Sequence, residues 1–259
     1  MQSIKNYSLL YSVLLCLAGP AGNLAAEELP GDCAALFGAN VCTWTINEAG
    51  RLTALGVEIP LAAIESAPAT TEMTWPPATA AAIHYPQPVQ AATGLQHMTI
   101  NWESMGHPPL PFLTPHFDFH FYLTDPEQRT AIDCLNNRKP ELMPPGYGLP
   151  DLALPPEMAA LTGTDELIGV CVPQMGMHAF RLSETEGTEP FSATLLIGYY
   201  DGNPLFFEPM VSRAFLLGRH SFSLEIPPVP GLDRQPSRFD ARYDSGRDAY
   251  RFLLSGFQH

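Results

Sequence analysis

The sequence predicts an all-β protein, mainly antiparallel, built as a sandwich or barrel. Short segments that alternate apolar and polar residues recur along the chain, while one stretch alone carries a full set of helix-start signals. Twenty-seven prolines and 20 glycines among 259 residues cut the chain into pieces too short for long helices. A content of 46% hydrophobic and 15% charged residues supplies a real core and excludes bulk disorder.

The elements follow in order. Lys5, the apolar run Leu9–Ala18 and small residues up to Ala25 and Ala26 form the three parts of a secretory signal, residues 1–26, with cleavage near Ala25 or Ala26. The run is too short for a membrane span, which takes about 20 apolar residues. The protein is therefore expected in the periplasm or outside the cell, with no membrane attachment after cleavage. Val41–Ile46 reads as a strand, Asn47–Gly50 as a turn and Leu52–Ile59 as the returning strand, a small N-terminal hairpin unit. Leu61–Ile64 reads as a helical turn. Residues 66–93, rich in Ala, Thr and Pro, read as a linker, so that 27–93 stand apart from a main β domain over 94–259.

In that main part, His97–Trp102 alternates as a strand, and a proline-rich loop leads into His116–Tyr122. Asp125, Pro126 and Glu127 give an N-cap, a first-turn proline and a first-turn acid, predicting one short helix to about Leu135. Strands are expected near Leu167–Val172, His178–Leu182, Ala193–Tyr199, Leu205–Phe207 and Arg213–Leu217, with a hairpin turn at Asp201-Gly202-Asn203. A last hairpin turns at Ser245-Gly246.

Removing residues 1–26 leaves 12 basic and 27 acidic side chains, so no basic patch exists for nucleic acid. The four remaining cysteines suggest disulfides in an exported protein, with Cys33–Cys42 and Cys134–Cys171 the favoured pairing of three.

The chemistry concentrates in Pro115-His116-Phe117-Asp118-Phe119-His120-Phe121-Tyr122. A strand sends neighbours to opposite faces, so one face is all phenylalanine and the other holds His116, Asp118 and His120. Folding alone does not require that polar face. Its spacing makes His116 and His120 an awkward pair for one ion, being about 13 Å apart along a strand, whereas Asp118 is about 7 Å from either. His178 after Gly176-Met177, His107 between Gly106 and Pro108, and Glu208 between apolar residues are the candidates to complete a site. A buried carboxylate needs a partner or a cation; for Glu208 the alternative partner is Arg213. Imidazoles with carboxylates suit a divalent transition metal, Zn, Fe, Mn or Cu. No HExxH glutamate, phosphate loop or GxSxG elbow occurs, which excludes metalloprotease, nucleotide-binding and esterase readings.

Gly106-His107-Pro108-Pro109, the block from Pro115 to Tyr122, Met175-Gly176-Met177-His178 and Glu208-Pro209-Met210 resemble the signature blocks of an uncharacterised family of exported bacterial proteins, one member of which belongs to a stress sigma-factor regulon in a thermophile. The resemblance spans roughly residues 40–257 and implies export without an agreed activity. Pro173–His178 is also similar to the second motif block of cupins, metal-binding β-barrels, although His116 and His120 replace the HxH spacing and Glu208 follows His178.

Three functions remain open at this level. The first is an exported metal-binding protein in metal handling or envelope stress; the second is a metal-dependent oxygenase or hydrolase taking a small-molecule ligand at the same cluster. The third is a non-catalytic module whose histidines form a hydrogen-bond network.

Overall fold

The computed structural model describes residues 26–257. The expected signal segment falls outside them, Ala26 excepted, as does His259. Two antiparallel sheets face each other. In the first, the strands run in the order β1 (Glu27–Leu36), β2 (Ala39–Glu48), β3 (Arg51–Pro60), β15 (Ala249–Ser255), β14 (Arg238–Asp244) and β13 (Phe222–Glu225). In the second, the order is β4 (Thr79–His84), β5 (His97–Glu103), β6 (His116–Tyr122), β12 (Asn203–Ser212), β11 (Ala193–Tyr200), β10 (Met177–Arg181) and β7 (Tyr147–Gly148). A small separate ladder pairs β8 (Leu152–Ala153) with β9 (Glu166–Leu167). The helices are short: α1 (Leu61–Glu65), α2 (Gln87–Thr93), α3 (Pro126–Thr130), α4 (Pro156–Thr162) and α5 (Arg213–Leu217).

Alternation along β6 creates the sandwich. Phe117, Phe119 and Phe121 point toward the first sheet, where the Phe119 ring lies 4.8 Å from that of Phe252 and the Phe121 ring 6.4 Å from that of Phe239. With Val57, Ile197 and Leu254 they form one buried core, the apolar inner faces of two sheets removed from water together. Neither sheet closes on itself, so the barrel alternative, and with it a cupin barrel, is not adopted.

A third layer covers the back of the second sheet. Phe112, Leu167 and Val170 from loops pack onto Phe180, Leu196 and Met210, with Trp75, Leu152, Leu154 and Phe191 at the margins. All seven residues of β6 are consequently buried. Its polar face lies beneath loops rather than water.

Several expectations change. The N-terminal hairpin forms, but β3 pairs along its length with β15, which makes it part of the six-stranded sheet. An unforeseen strand, β1, precedes it, with a bulge between Pro30 and Cys33. The stretch 66–93 holds β4 and α2 rather than an unstructured linker. Arg213–Leu217 is helical because the Ser212 side chain caps the backbone N–H of Phe215. The strand expected at 167–172 ends at Leu167, where the chain enters a tight 3-10 turn. Helix α3 ends at Thr130, short of Leu135; Cys134 beyond it adopts φ +62° and is bonded to Cys171. Other expectations hold. Cys33–Cys42 and Cys134–Cys171 are both bonded. Asp201 and Gly202, at φ +48° and +73°, make the hairpin turn between β11 and β12. Among the described residues, no helix is long and apolar enough to cross a membrane.

Candidate metal centre

β6 lies in the middle of its sheet, so both neighbours can add side chains to its polar face. On one side Glu103 stands opposite His116, Asn101 opposite Asp118 and Thr99 opposite His120. On the other, Met210 faces Asp118 and Phe206 faces Tyr122, and the same register sets Glu208 across from His120. The six residues singled out from the sequence divide into two groups: His107, His116 and Asp118, and His120, His178 and Glu208. Within each group the ligand-capable atoms lie within 4.8 Å of one another, and such groups could hold a metal ion. His116 and His120, i and i+4 on the strand, belong to different groups, as their spacing requires.

The first group depends on a loop folding back over the strand. Gly106 has φ +72°, and a Cβ there would run into the backbone of Phe112 and Thr114, so the turn needs glycine. The His107 N–H then donates to the Phe112 carbonyl at 3.2 Å, and the His107 ring comes edge-on to His116, centroids 4.8 Å apart. His116 Nε2 lies 3.2 Å from Asp118 Oδ1.

The second group depends on a close approach across β11. His178 pairs with Gly198 on β11, and β11 separates it from Glu208 on β12. Gly198 carries no side chain, and a Cβ there would run into the ring of Phe206. Phe206 therefore lies down over the glycine and packs against both imidazoles, 4.9 Å from His120 and 5.1 Å from His178 between centroids. His120 Nε2 sits 3.4 Å from Glu208 Oε1, and His178 Nε2 3.7 Å from Glu208 Oε2.

Backbone carbonyls fix three of the four rings. His107 Nδ1 donates to Pro108 at 2.9 Å, His116 Nδ1 to Thr114 at 2.7 Å and His178 Nδ1 to Val170 at 3.0 Å. A carbonyl only accepts, so Nδ1 carries the proton and a neutral ring turns the Nε2 lone pair into the cluster. The same outer hydrogen bond orients histidines that ligate metals. The 3.2 Å contact of His116 with Asp118 lacks the alignment of a hydrogen bond. His116 Nε2, Asp118 Oδ1, both nitrogens of His120 and Glu208 Oε2 are buried with no hydrogen-bond partner. Each such atom costs about 1–3 kcal/mol. A cation in each group would engage the lone pairs of His116 Nε2 and Asp118 Oδ1 in one, and of His120 Nε2 and Glu208 Oε2 in the other.

Charge and burial act in the same sense. Burial pushes Glu208 well above the usual carboxylate range, and Asp118 and Glu103 push it further. Partial burial, then repulsion by Asp118, pushes half-buried Glu103 up to about 7. Burial works on Asp118 too, but His116 above all pulls it below its ordinary value. Burial, then His116, lowers His107 to about 4; burial, then His178, lowers His120 to about 3. His178 is lowered by burial. For His116 burial is overcome by Asp118, the Thr114 carbonyl and Glu103, and its pKa is raised. His107, His120 and His178 are thus neutral near pH 7, the form that binds metals.

Two sequence-level expectations are corrected. Arg213 does not pair with Glu208; its guanidinium donates to the carbonyls of Ile64 at 3.0 Å and Glu65 at 2.8 Å. Glu103 belongs beside the first group and was missed. Its signal lay in the strand from His97: alternation carried one residue past Trp102 puts Glu103 on the face of Thr99 and Asn101.

Fold and cluster together define a β-sandwich with a buried histidine–carboxylate centre. Residues 47–102 match the model of a family described as TTHB210-like, hypothetical protein TTHB210. The match runs from the end of β2 to β5 and includes none of the six residues, so the histidine blocks are not part of it. No curated protein and no solved structure matches the chain.

Proposed function

We propose that this protein binds a divalent transition metal ion, Zn, Fe, Mn or Cu, at His120, His178 and Glu208, in an exported compartment. The observation that carries the reading is the Glu208 carboxylate, whose two oxygens each face an imidazole Nε2 in a buried space. An unbalanced carboxylate there is costly, and a cation between the three side chains removes the cost. The donor set of neutral imidazole and carboxylate suits these metals.

Holding an ion fits better than catalysis. The three side chains are 1%, 8% and 2% exposed, leaving a substrate no approach to the ion. The role is then metal handling or stabilisation of an envelope protein by its own ion, with no oxygenase or hydrolase step. Two disulfides support export, because such bonds persist in oxidising compartments.

Elemental analysis of protein purified without a histidine tag tests the reading. Bound metal is expected, and a His178→Ala/Glu208→Gln variant that keeps its β-rich circular dichroism should lose the ion held at these residues. Protein that takes up no Zn(II), Mn(II), Fe(II) or Cu(II) after dialysis and shows no thermal shift with any of them overturns it. For export, the mature N-terminus should follow Ala25 or Ala26.

A further inference from the structure

We propose that the chain holds two metal ions, the second at His107, His116 and Asp118. This rests on the reading of His120, His178 and Glu208 as a metal site. An ion at that site alone leaves a second buried group of ligand-type side chains without one. His116 Nε2 and Asp118 Oδ1 approach to 3.2 Å without a hydrogen bond, both buried and both unpartnered. The His116 and Asp118 side chains are 0% and 6% exposed, shielded from bulk solvent. His107 points its ring at the same spot, and its Nδ1 is occupied by the Pro108 carbonyl. Ligand-capable atoms of two imidazoles and one carboxylate thus meet within 4.8 Å of one another.

The donor set supports a second ion. Buried structural ions of the zinc type take four ligands, and the first group offers three, with Glu103 across the ladder from His116 beside it. Each group also has a carboxylate of its own, Asp118 in one and Glu208 in the other, so each ion would meet a negative charge.

The donors contain no thiolate or thioether, which favours Zn, Mn or Fe over Cu(I).

Zn(II) stoichiometry tests the proposal, measured by elemental analysis after dialysis of the disulfide-bonded protein. Two ions per chain are expected in the unaltered protein and one in His107→Gln/His116→Gln. Asp118→Asn should weaken the second ion at least tenfold in competition with a chelator and leave the ion at His120, His178 and Glu208 in place. A single ion in the unaltered protein, unchanged in His107→Gln/His116→Gln, overturns the second site and leaves the first reading standing. No ion at all overturns both. Where a double variant misfolds, His107→Gln alone serves, since it lies on a loop outside the sheet.

Discussion

Glu208 stands across the β6–β12 ladder from His120, with 3.4 Å between Oε1 and Nε2 and both side chains nearly sealed from solvent. Burial and its acidic neighbours hold the Glu208 carboxyl well above the ordinary range, so without metal its charge is a burden. Glu208→Gln should therefore change the stability of metal-free protein by no more than about 1 kcal/mol. With Zn(II) at a hundredfold excess over Kd, the unaltered protein should gain about 2.7 kcal/mol, or roughly 5–10 °C in melting temperature. The variant should lose most of that gain. Calorimetry with and without Zn(II) checks both halves.

His97 gives the acid response a defined sign. Its ring stacks on Tyr122 at 4.7 Å and bonds the Thr124 carbonyl. Burial, then Arg129 and His84, lower its pKa to about 4 from 6.5. The unfolded chain takes up the proton first, so stability is full above about pH 6.5 and falls as pH drops toward 4. Urea midpoints at pH 7.5 and pH 5 should differ in that direction, and His97→Gln should flatten the dependence. A midpoint that rises on acidification contradicts it.

Gly198→Ala places a methyl where the Phe206 ring lies. Overpacking of this kind costs about 1–3 kcal/mol. Phe206 also packs against both imidazoles of the second group, so its displacement should lower Zn(II) affinity there while leaving His107, His116 and Asp118 undisturbed. Urea denaturation and chelator competition read the two effects separately.

The two disulfides should separate in function. Cys134–Cys171 closes a 37-residue separation and lies beside Val170, whose carbonyl orients His178. Replacing both cysteines by serine should cost about 4 kcal/mol by chain entropy and weaken metal binding as well. Cys33–Cys42 spans 9 residues between β1 and β2, far from the cluster. Its loss should cost about 2.5 kcal/mol with metal affinity unchanged. Zn(II) titration of the two serine variants distinguishes them.

The local part of this architecture was legible in the sequence. Period-two alternation separated the phenylalanine and histidine faces of β6, and turn residues marked Asp201-Gly202. What stayed hidden depended on partners distant in the chain. The division into two groups follows from the β6–β12 register and from the space above Gly198, neither of which is written in the residues near His116. β1 was obscured by Pro30 and Gly31, which break the pattern inside a bulged strand. Arg213–Leu217 is apolar enough for a strand, and the serine before it tips it to a helix.

The pairing of β3 with β15 sets a condition on how the chain can mature. Ala54 meets Ser255 and Pro60 meets Ala249, partners from opposite ends of the described chain. Until β15 is made, β3 is an exposed edge rich in leucine, valine and isoleucine, the kind that sticks to other chains. Contacts so remote in sequence also form slowly. The first sheet therefore cannot be completed before β15 has been made, and the β3 edge needs shielding until then.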